Sequence, residues 1–406
     1  VPSHFPVVEF AKIQTFDDPH AGRLNSGEFS YGEFRLRLPL GSVILFAGVL
    51  LLTSLAAADT ITLRSGQQID NRTVTAVDED GLQLGEPLPS GAKIIRLDEI
   101  QYAKIAADRQ STLDQLLKEL GDPLFRIRWR LSVGDVAGLA EPAETVYPRF
   151  RGRRSPTALL VATAAMRGRI HERKREFAVE PMLQIVEILR SGAASASDLS
   201  GEARLAVDPE RSVSGELLPI WFDAAAAKAA LPEVLATIRT MQQPRPDGVR
   251  IYYGSLAVAA GDETNAKPML DDLRPTDPLL EQLRLAVQAQ RQIAKPTAPQ
   301  ADASAVAELT KLADENKLLP TAEPLALYVL GLARTASTDP NTVRDGVLDL
   351  LKIPALHAQG DRELAAAALY QSAIALSKLK EEAGAAAVRR ELKTRFGKSL
   401  HAERAK

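Results

Sequence analysis

Five histidines would be enough for a metal site or a general base, so their spacing is the first thing to test. His4, His20, His171, His357 and His401 are scattered, and no two have the helical or short-loop spacing that presents two imidazoles to one ion. His171, within "GRIHERKRE", reads as a solvated helix end. Ser377-Lys378-Leu379-Lys380 has the S-x-x-K order in which a lysine can activate a serine, but the motifs that complete such a site are missing. There is no G-x-S-x-G, no Walker loop and no dinucleotide fingerprint. The carboxylate groups Asp78-Glu79-Asp80 and Asp271-Asp272 fall in a turn and on a helix surface, where solvation accounts for them. With no cysteine in 406 residues, disulfides, zinc-thiolate sites, thiol catalysis and a lipid-modified N-terminal cysteine are excluded. No metal or cofactor is expected, and the chain reads as non-enzymatic. The alternative is an envelope hydrolase whose catalytic residues are dispersed along the sequence.

Arginine supplies the one charge feature that could bind something. "FRIRWR" holds Arg126, Arg128 and Arg130, and Arg149, Arg151, Arg153, Arg154, Arg167, Arg169, Arg173, Lys174 and Arg175 follow with Glu172 as the only acid among them. Presented on one side of two helices, they would form a basic groove for an acidic peptide, an anionic envelope polymer or a phospholipid headgroup. Spread over several faces, they would instead pair with acids of other helices. The whole chain has a formal charge of −2, which argues against a dedicated nucleic-acid binder.

The compartment follows from residues 35–58. Arg35 and Arg37 precede a stretch without charge from Leu38 to Ala58. Its strongly apolar part, Val43 to Leu52, would span only about 15 Å as a helix, half of a bilayer core of roughly 30 Å. A basic start, a short apolar run and Ala56-Ala57-Ala58 before Asp59 have the anatomy of an export signal cut between Ala58 and Asp59. The expectation is a periplasmic or secreted protein with no stable membrane span after cleavage, an uncleaved anchor being the alternative. Residues 1–34 show no sustained period and are expected to be a disordered or spurious extension outside the fold. Removing residues 1–58 takes away four basic and five acidic groups, so the balance of 50 to 52 becomes 46 to 47.

Two architectures share the remainder, which at about 350 residues exceeds one typical core of ~100–200. Residues 59–106 alternate with period two or run apolar between turns at Ser65-Gly66 and Asp78 to Gly81, predicting four or five short strands. So many strands in so short a stretch predict a small β-barrel-like domain. "LRSGQQIDNRTVTAVDEDGLQL" resembles the first half of an SH3/Sm-like strand set, with Asn71 where a second glycine is usual. That resemblance implies RNA binding, which the charge balance opposes.

Beyond Ala106 the period becomes 3.6. "STLDQLLKEL" aligns Leu113, Leu116, Leu117 and Leu120, with Ser111 or Thr112 as N-cap and Gly121 past the end. Fourteen further amphipathic segments follow, including 219–230 and 232–241, most joined by short loops. In "DGVRIYYGSLAVAAGDETNAKPMLDDLRPTDPLL" Gly254 sits in a first helix, Gly261 in the turn, Ala266, Leu270 and Leu273 on the inner stripe of a second helix, and Pro278 opens the next. This unit resembles a tetratricopeptide repeat (TPR), with Arg250 and Ala257 where tryptophan and tyrosine are common. A poorer copy carries Leu327, Leu330, Gly331, Val343, Val347 and Leu350, and a third offers Ala178, Met182 and Ile185. The strict period of the family is absent.

The expected fold is therefore mainly α, an irregular TPR-like α-solenoid of helical hairpins preceded by the small β-barrel-like domain. Its segments are helical hairpins over 107–190, a Ser/Ala/Gly-rich linker or loop over 191–218, and TPR-like repeats over 219–406. The resemblance implies a curved surface that holds a protein or peptide partner. The expected function is an exported, non-catalytic scaffold or adaptor of the bacterial cell envelope.

Overall fold

The computed structural model describes residues 59–199, 207–294 and 303–405. The expected leader, the extension before it and Ala58 lie outside the described residues.

Strands come first. β1 (Asp59–Leu63) lies between β2 (Gln68–Arg72) and β6 (Ile100–Lys104), and β4 (Gly81–Leu84) lies between β3 (Val74–Asp78) and β5 (Ile94–Ile95), with antiparallel pairing throughout. The turn expected at Asp78 to Gly81 is present: the Asp78 carboxylate accepts from the Asp80 and Gly81 amides at 2.9 and 3.2 Å. Gly81 itself has φ +143°, and a Cβ there would meet the Ile95 carbonyl oxygen at 2.1 Å. Asn71, standing in for a glycine, takes φ +57° beside a register shift in the β1–β2 ladder. Asparagine tolerates this left-handed conformation better than most residues.

The expected β-barrel does not form, because the two three-stranded sheets do not join. β2 and β3 are separated only by Thr73 yet belong to different sheets, and a 3-10 turn at Leu97–Glu99 interrupts the path from the two-residue β5 to β6. Side chains satisfy the edge that a neighbouring strand would have covered. The Asp59 carboxylate accepts from the Val74 amide at 2.7 Å, and Arg109 donates to the Val74 carbonyl. Helices supply the missing apolar wall: Ile61, Val74, Leu82, Ile95 and Ile100 share one core with Leu113, Leu120, Leu124 and Ile127.

Those last four belong to α1 (Ala107–Leu116), a π-turn (Leu117–Gly121) and α2 (Asp122–Ser132). Neither expected end of the first helix holds. The Gln110 side chain accepts from the Ile105 amide at 2.8 Å and donates to the Ala103 carbonyl at 3.0 Å, and the helix already begins at Ala107. Gly121 is absorbed into the π-turn instead of ending the helix.

The rest of the chain is helical: α3 (Ala140–Phe150), α4 (Pro156–His171), α5 (Val179–Arg190), α6 (Ala224–Thr240), α7 (Asp247–Ala259), α8 (Glu263–Leu270), α9 (Pro278–Ala294), α10 (Ala303–Asp314), α11 (Glu323–Thr335), α12 (Pro340–Leu356), α13 (Arg362–Lys378), α14 (Glu382–Phe396) and α15 (Leu400–Arg404). The two segments expected at 219–230 and 232–241 are one helix, α6. Pro232 lies on its solvent side, while Ala227, Ala230, Leu231, Val234 and Ile238 keep one buried stripe. Between α5 and α6 the described residues carry a 3-10 turn (Ala196–Asp198) and a short hairpin, β7 (Val207–Asp208) with β8 (Val213–Ser214).

Neighbouring helices pack as pairs, α3 with α4, α7 with α8, α11 with α12 and α13 with α14. One apolar core runs from the strands to Ala266 of α8, and a second gathers α9 to α14 with Ile251 of α7, Leu270 of α8 and Ala402 of α15. The series also turns back on itself. Arg173 pairs with Glu403 at 2.7 Å, Arg175 with Asp361 at 2.8 Å, and Arg404 donates to the Phe222 carbonyl at 3.0 Å. A one-directional stack, in which each pair touches only its sequence neighbours, is departed from at this closure.

Candidate functional site

Most of the arginines singled out by their density are held by carboxylates of the fold. Arg128 bonds to Asp98. The pairs Arg130–Asp135, Arg149–Glu119, Arg153–Glu79, Arg154–Glu187 and Arg167–Glu216 have N···O distances of 2.8, 2.7, 2.8, 2.6 and 2.6 Å. Arg151 and Arg169 converge on Glu180, at 3.5 and 3.7 Å, and Arg169 also reaches Glu144 at 2.6 Å. Arg126 differs. It is exposed on α2 and makes no ion pair among the described residues.

Convergence on Glu180 builds a buried polar knot rather than an open groove. Tyr147 donates to the Glu180 carboxylate at 2.7 Å, and Thr237 does so from α6 at 3.3 Å. Burial pushes the Glu180 carboxyl above its ordinary range, against the pull of Tyr147, Arg151 and Arg169. Burial, with Glu180 close by, also pushes the Tyr147 hydroxyl well up, so it remains a donor. These groups tie α3, α4, α5 and α6 together.

The acidic turn is part of the same stitching. Arg153 reaches Glu79, and Ser155, whose hydroxyl caps α4 at the Ala158 amide, also donates to Asp80. Of the other residues weighed for chemistry, Ser377 accepts from Arg389 at 2.7 Å, Asp271 is held by Arg291 at 2.7 Å, and His171 is an exposed helix end. Among the described residues no group of three His, Asp or Glu side chains could hold a metal ion.

A second buried assembly sits at the closure. Arg175 lays both terminal nitrogens on Asp361, at 2.9 and 2.8 Å, and donates to the Leu218 carbonyl at 3.0 Å. The rings of Trp221 and Phe222 flank its guanidinium, each 5.6 Å away. Asp361 simultaneously caps α13 by accepting from the Leu364 amide at 3.0 Å. Beside it His401 is 2% exposed, edge-on to Phe222 at 4.8 Å, and neither ring nitrogen has a hydrogen-bond partner among the described residues. Burial, aided by Arg404 and Arg175, lowers its pKa to about 4, so the ring is neutral at pH 7.

Of the residues expected to pack a repeat, Gly254 and Leu270 meet directly, while Ala266 lies in the first apolar core and Leu270 and Leu273 in the second. A Cβ on Gly254 would lie 2.7 Å from Leu270 Cγ, so only glycine lets α7 and α8 approach this closely. Gly261 makes the turn, Asp262 caps α8 by accepting from the Asn265 amide at 3.1 Å, and Pro278 opens α9. Ala266, Leu270 and Leu273 are buried. The α11–α12 pair repeats the device: a Cβ on Gly331 would lie 2.6 Å from Leu350 Cγ.

Two apolar surface features were not anticipated. On α12, Leu348 and Leu356 are 58% and 70% exposed, four residues either side of Lys352, beside a shallow depression lined by Asp314, Arg334, Thr342, Asp345 and Asp349. On α2 and its C-terminal cap, Phe125, Trp129 and Val133 stand exposed at intervals of four. The α2 pattern is visible in the sequence as a helical i, i+4, i+8 spacing and the α12 pattern as i, i+8, but such spacings describe a core stripe equally well.

No family model, curated protein or solved structure matches this chain. No helix of the described residues is long and apolar enough to cross a membrane.

Proposed function

We propose that this protein is an exported, non-catalytic scaffold of the bacterial envelope, whose TPR-like helix pairs hold a protein partner. The observation that carries the reading is the outer face of α12. Its own pair is sealed through Gly331 and Leu350, yet Leu348 and Leu356 remain outside that contact. Leucines exposed along one helix can seat the apolar side chains of a docked segment. Asp349 in the adjoining depression is neutralised by Arg334 and Lys352, whereas exposed Asp345 makes no ion pair among the described residues. The face therefore suits a segment carrying apolar side chains and a cation.

Recurrence of the glycine–leucine contact in α7–α8 and α11–α12 supports the repeat component of this reading. The export component rests on the residues from Arg35 to Asp59. A photo-crosslinking residue placed at Leu348 in the full-length protein tests the partner component in cells: one predominant protein adduct is expected, lost in a Leu356→Glu background. Absence of an adduct, or adducts indifferent to Leu356→Glu, would refute the scaffold reading.

A further inference from the structure

α2 buries Leu124, Ile127 and Leu131. At 100° per residue Phe125, Trp129 and Val133 fall on the opposite side, so the core does not explain them. They are 39%, 54% and 53% exposed and form a ridge about 12 Å long over α2 and its C-terminal cap. Tryptophan and phenylalanine next to arginine are the residue types that settle at the boundary between lipid headgroups and acyl chains.

Charge points the same way. The acids bonded to this region are each held by an arginine: Asp122 by Arg64, Asp98 by Arg128 and Asp135 by Arg130. That leaves Arg126, next to the ridge, as an uncompensated cation among the described residues. A second arginine lies against the ridge: the guanidinium of Arg64, just past β1, stacks 4.5 Å over Phe125.

We propose that the α2 ridge is a membrane-docking face, with Phe125, Trp129 and Val133 entering the interface of an anionic bilayer and Arg126 meeting a lipid phosphate. This site is separate from the α12 face and does not depend on what that face binds.

The sequence holds two tryptophans, and Trp221 is buried with its indole nitrogen bonded to Ser255 at 2.8 Å. Emission that changes on binding therefore reports Trp129. With the full-length chain and vesicles of equal phosphatidylglycerol and phosphatidylcholine, Trp129 emission should shift to the blue and be quenched by brominated acyl chains. Both effects should vanish in Trp129→Phe, and vesicles of phosphatidylcholine alone should give much less. Arg126→Gln should weaken the effect about fivefold, as expected for one charge near an anionic surface, and Phe125→Ser/Val133→Ser should weaken it further. The proposal is overturned if the chain binds vesicles through residues 38–58 while Trp129 stays open to aqueous acrylamide. It is equally overturned if Trp129 becomes shielded without vesicles as protein concentration rises, which would make the ridge a contact between protein copies.

Discussion

His401 lies in the charged tail "LHAERAK", where a histidine is ordinarily a surface residue, yet it is 2% exposed. Its neutral ring is held among Phe222, Tyr370, Arg404 and Arg175. With a folded pKa of about 4 against 6.5 for the free side chain, the unfolded chain binds the extra proton between those values. The stability this group permits is therefore complete above pH 6.5 and is lost as pH falls towards 4, by about 3 kcal/mol in the limit. Glu363, whose carboxyl burial raises, takes up protons earlier in the folded state and works in the opposite direction. His401→Phe removes the proton that the unfolded chain gains, so its effect on the melting temperature should be more favourable at pH 4.5 than at pH 7, measured by calorimetry. An unchanged pH profile would show that the ring is not the responsible group. The neighbouring Arg175–Asp361 pair belongs to the same scale. Burial opposes the charge on Arg175, but Asp361 more than offsets it and holds the guanidinium above its ordinary pKa. Arg175→Met strands a buried carboxylate and should cost about 3–5 kcal/mol in urea denaturation, much of it recovered in Arg175→Met/Asp361→Asn.

Among the elements, the α7–α8 and α11–α12 pairs depend on the absence of one side-chain atom. Gly254→Ala gains about 1 kcal/mol of helix propensity but drives a Cβ to 2.7 Å from Leu270 Cγ. Overpacking of this kind costs roughly 1–3 kcal/mol, so the variant should be less stable. Gly384→Ala in α14 is the matched control. Its Cβ would make an ordinary 3.5 Å contact with Leu376, and chemical denaturation should show a gain of about 0.5–1 kcal/mol. The glycine–leucine contact was legible in sequence because small and large residues alternate at helical spacing. The start of α1 was not, since it is set by Gln110 bonding back to Ala103 and Ile105, and Ser111 looks the better cap on local grounds. Likewise the strands and the Asp78–Gly81 turn follow from local pattern, but sheet closure does not. Asp59 and Arg109 bond the two polar groups of Val74, and no strand is required there.

Across the whole molecule, the closure joins residues far apart in the chain, Arg175 to Asp361 and Arg173 to Glu403. Deleting residues 399–406 removes Glu403, Arg404 and the ring that covers Phe222. Hydrogen exchange should then speed up together at residues 173–178, 220–223 and the start of α13, while amides of β1 and β6 stay protected. The proposed export is likewise tested on the whole chain. N-terminal sequencing of the envelope-fraction protein should begin at Asp59, and material retaining residues 35–58 in the cytosol would refute export.

Read alone, the sequence determined the alternation of the first strands, the helical period beyond Ala106, the turn glycines and the absence of thiol chemistry. Each is set by neighbours within a few residues or by composition. Tertiary structure alone decided that the sheets stay open, that most of the clustered arginines are spent inside the fold, and that His401 is buried. It also decided which apolar stripes are left over, because a stripe such as Phe125, Trp129 and Val133 looks the same whether a core covers it or solvent does. Long-range packing chooses between the two, and a local pattern carries no information about what will lie across from it.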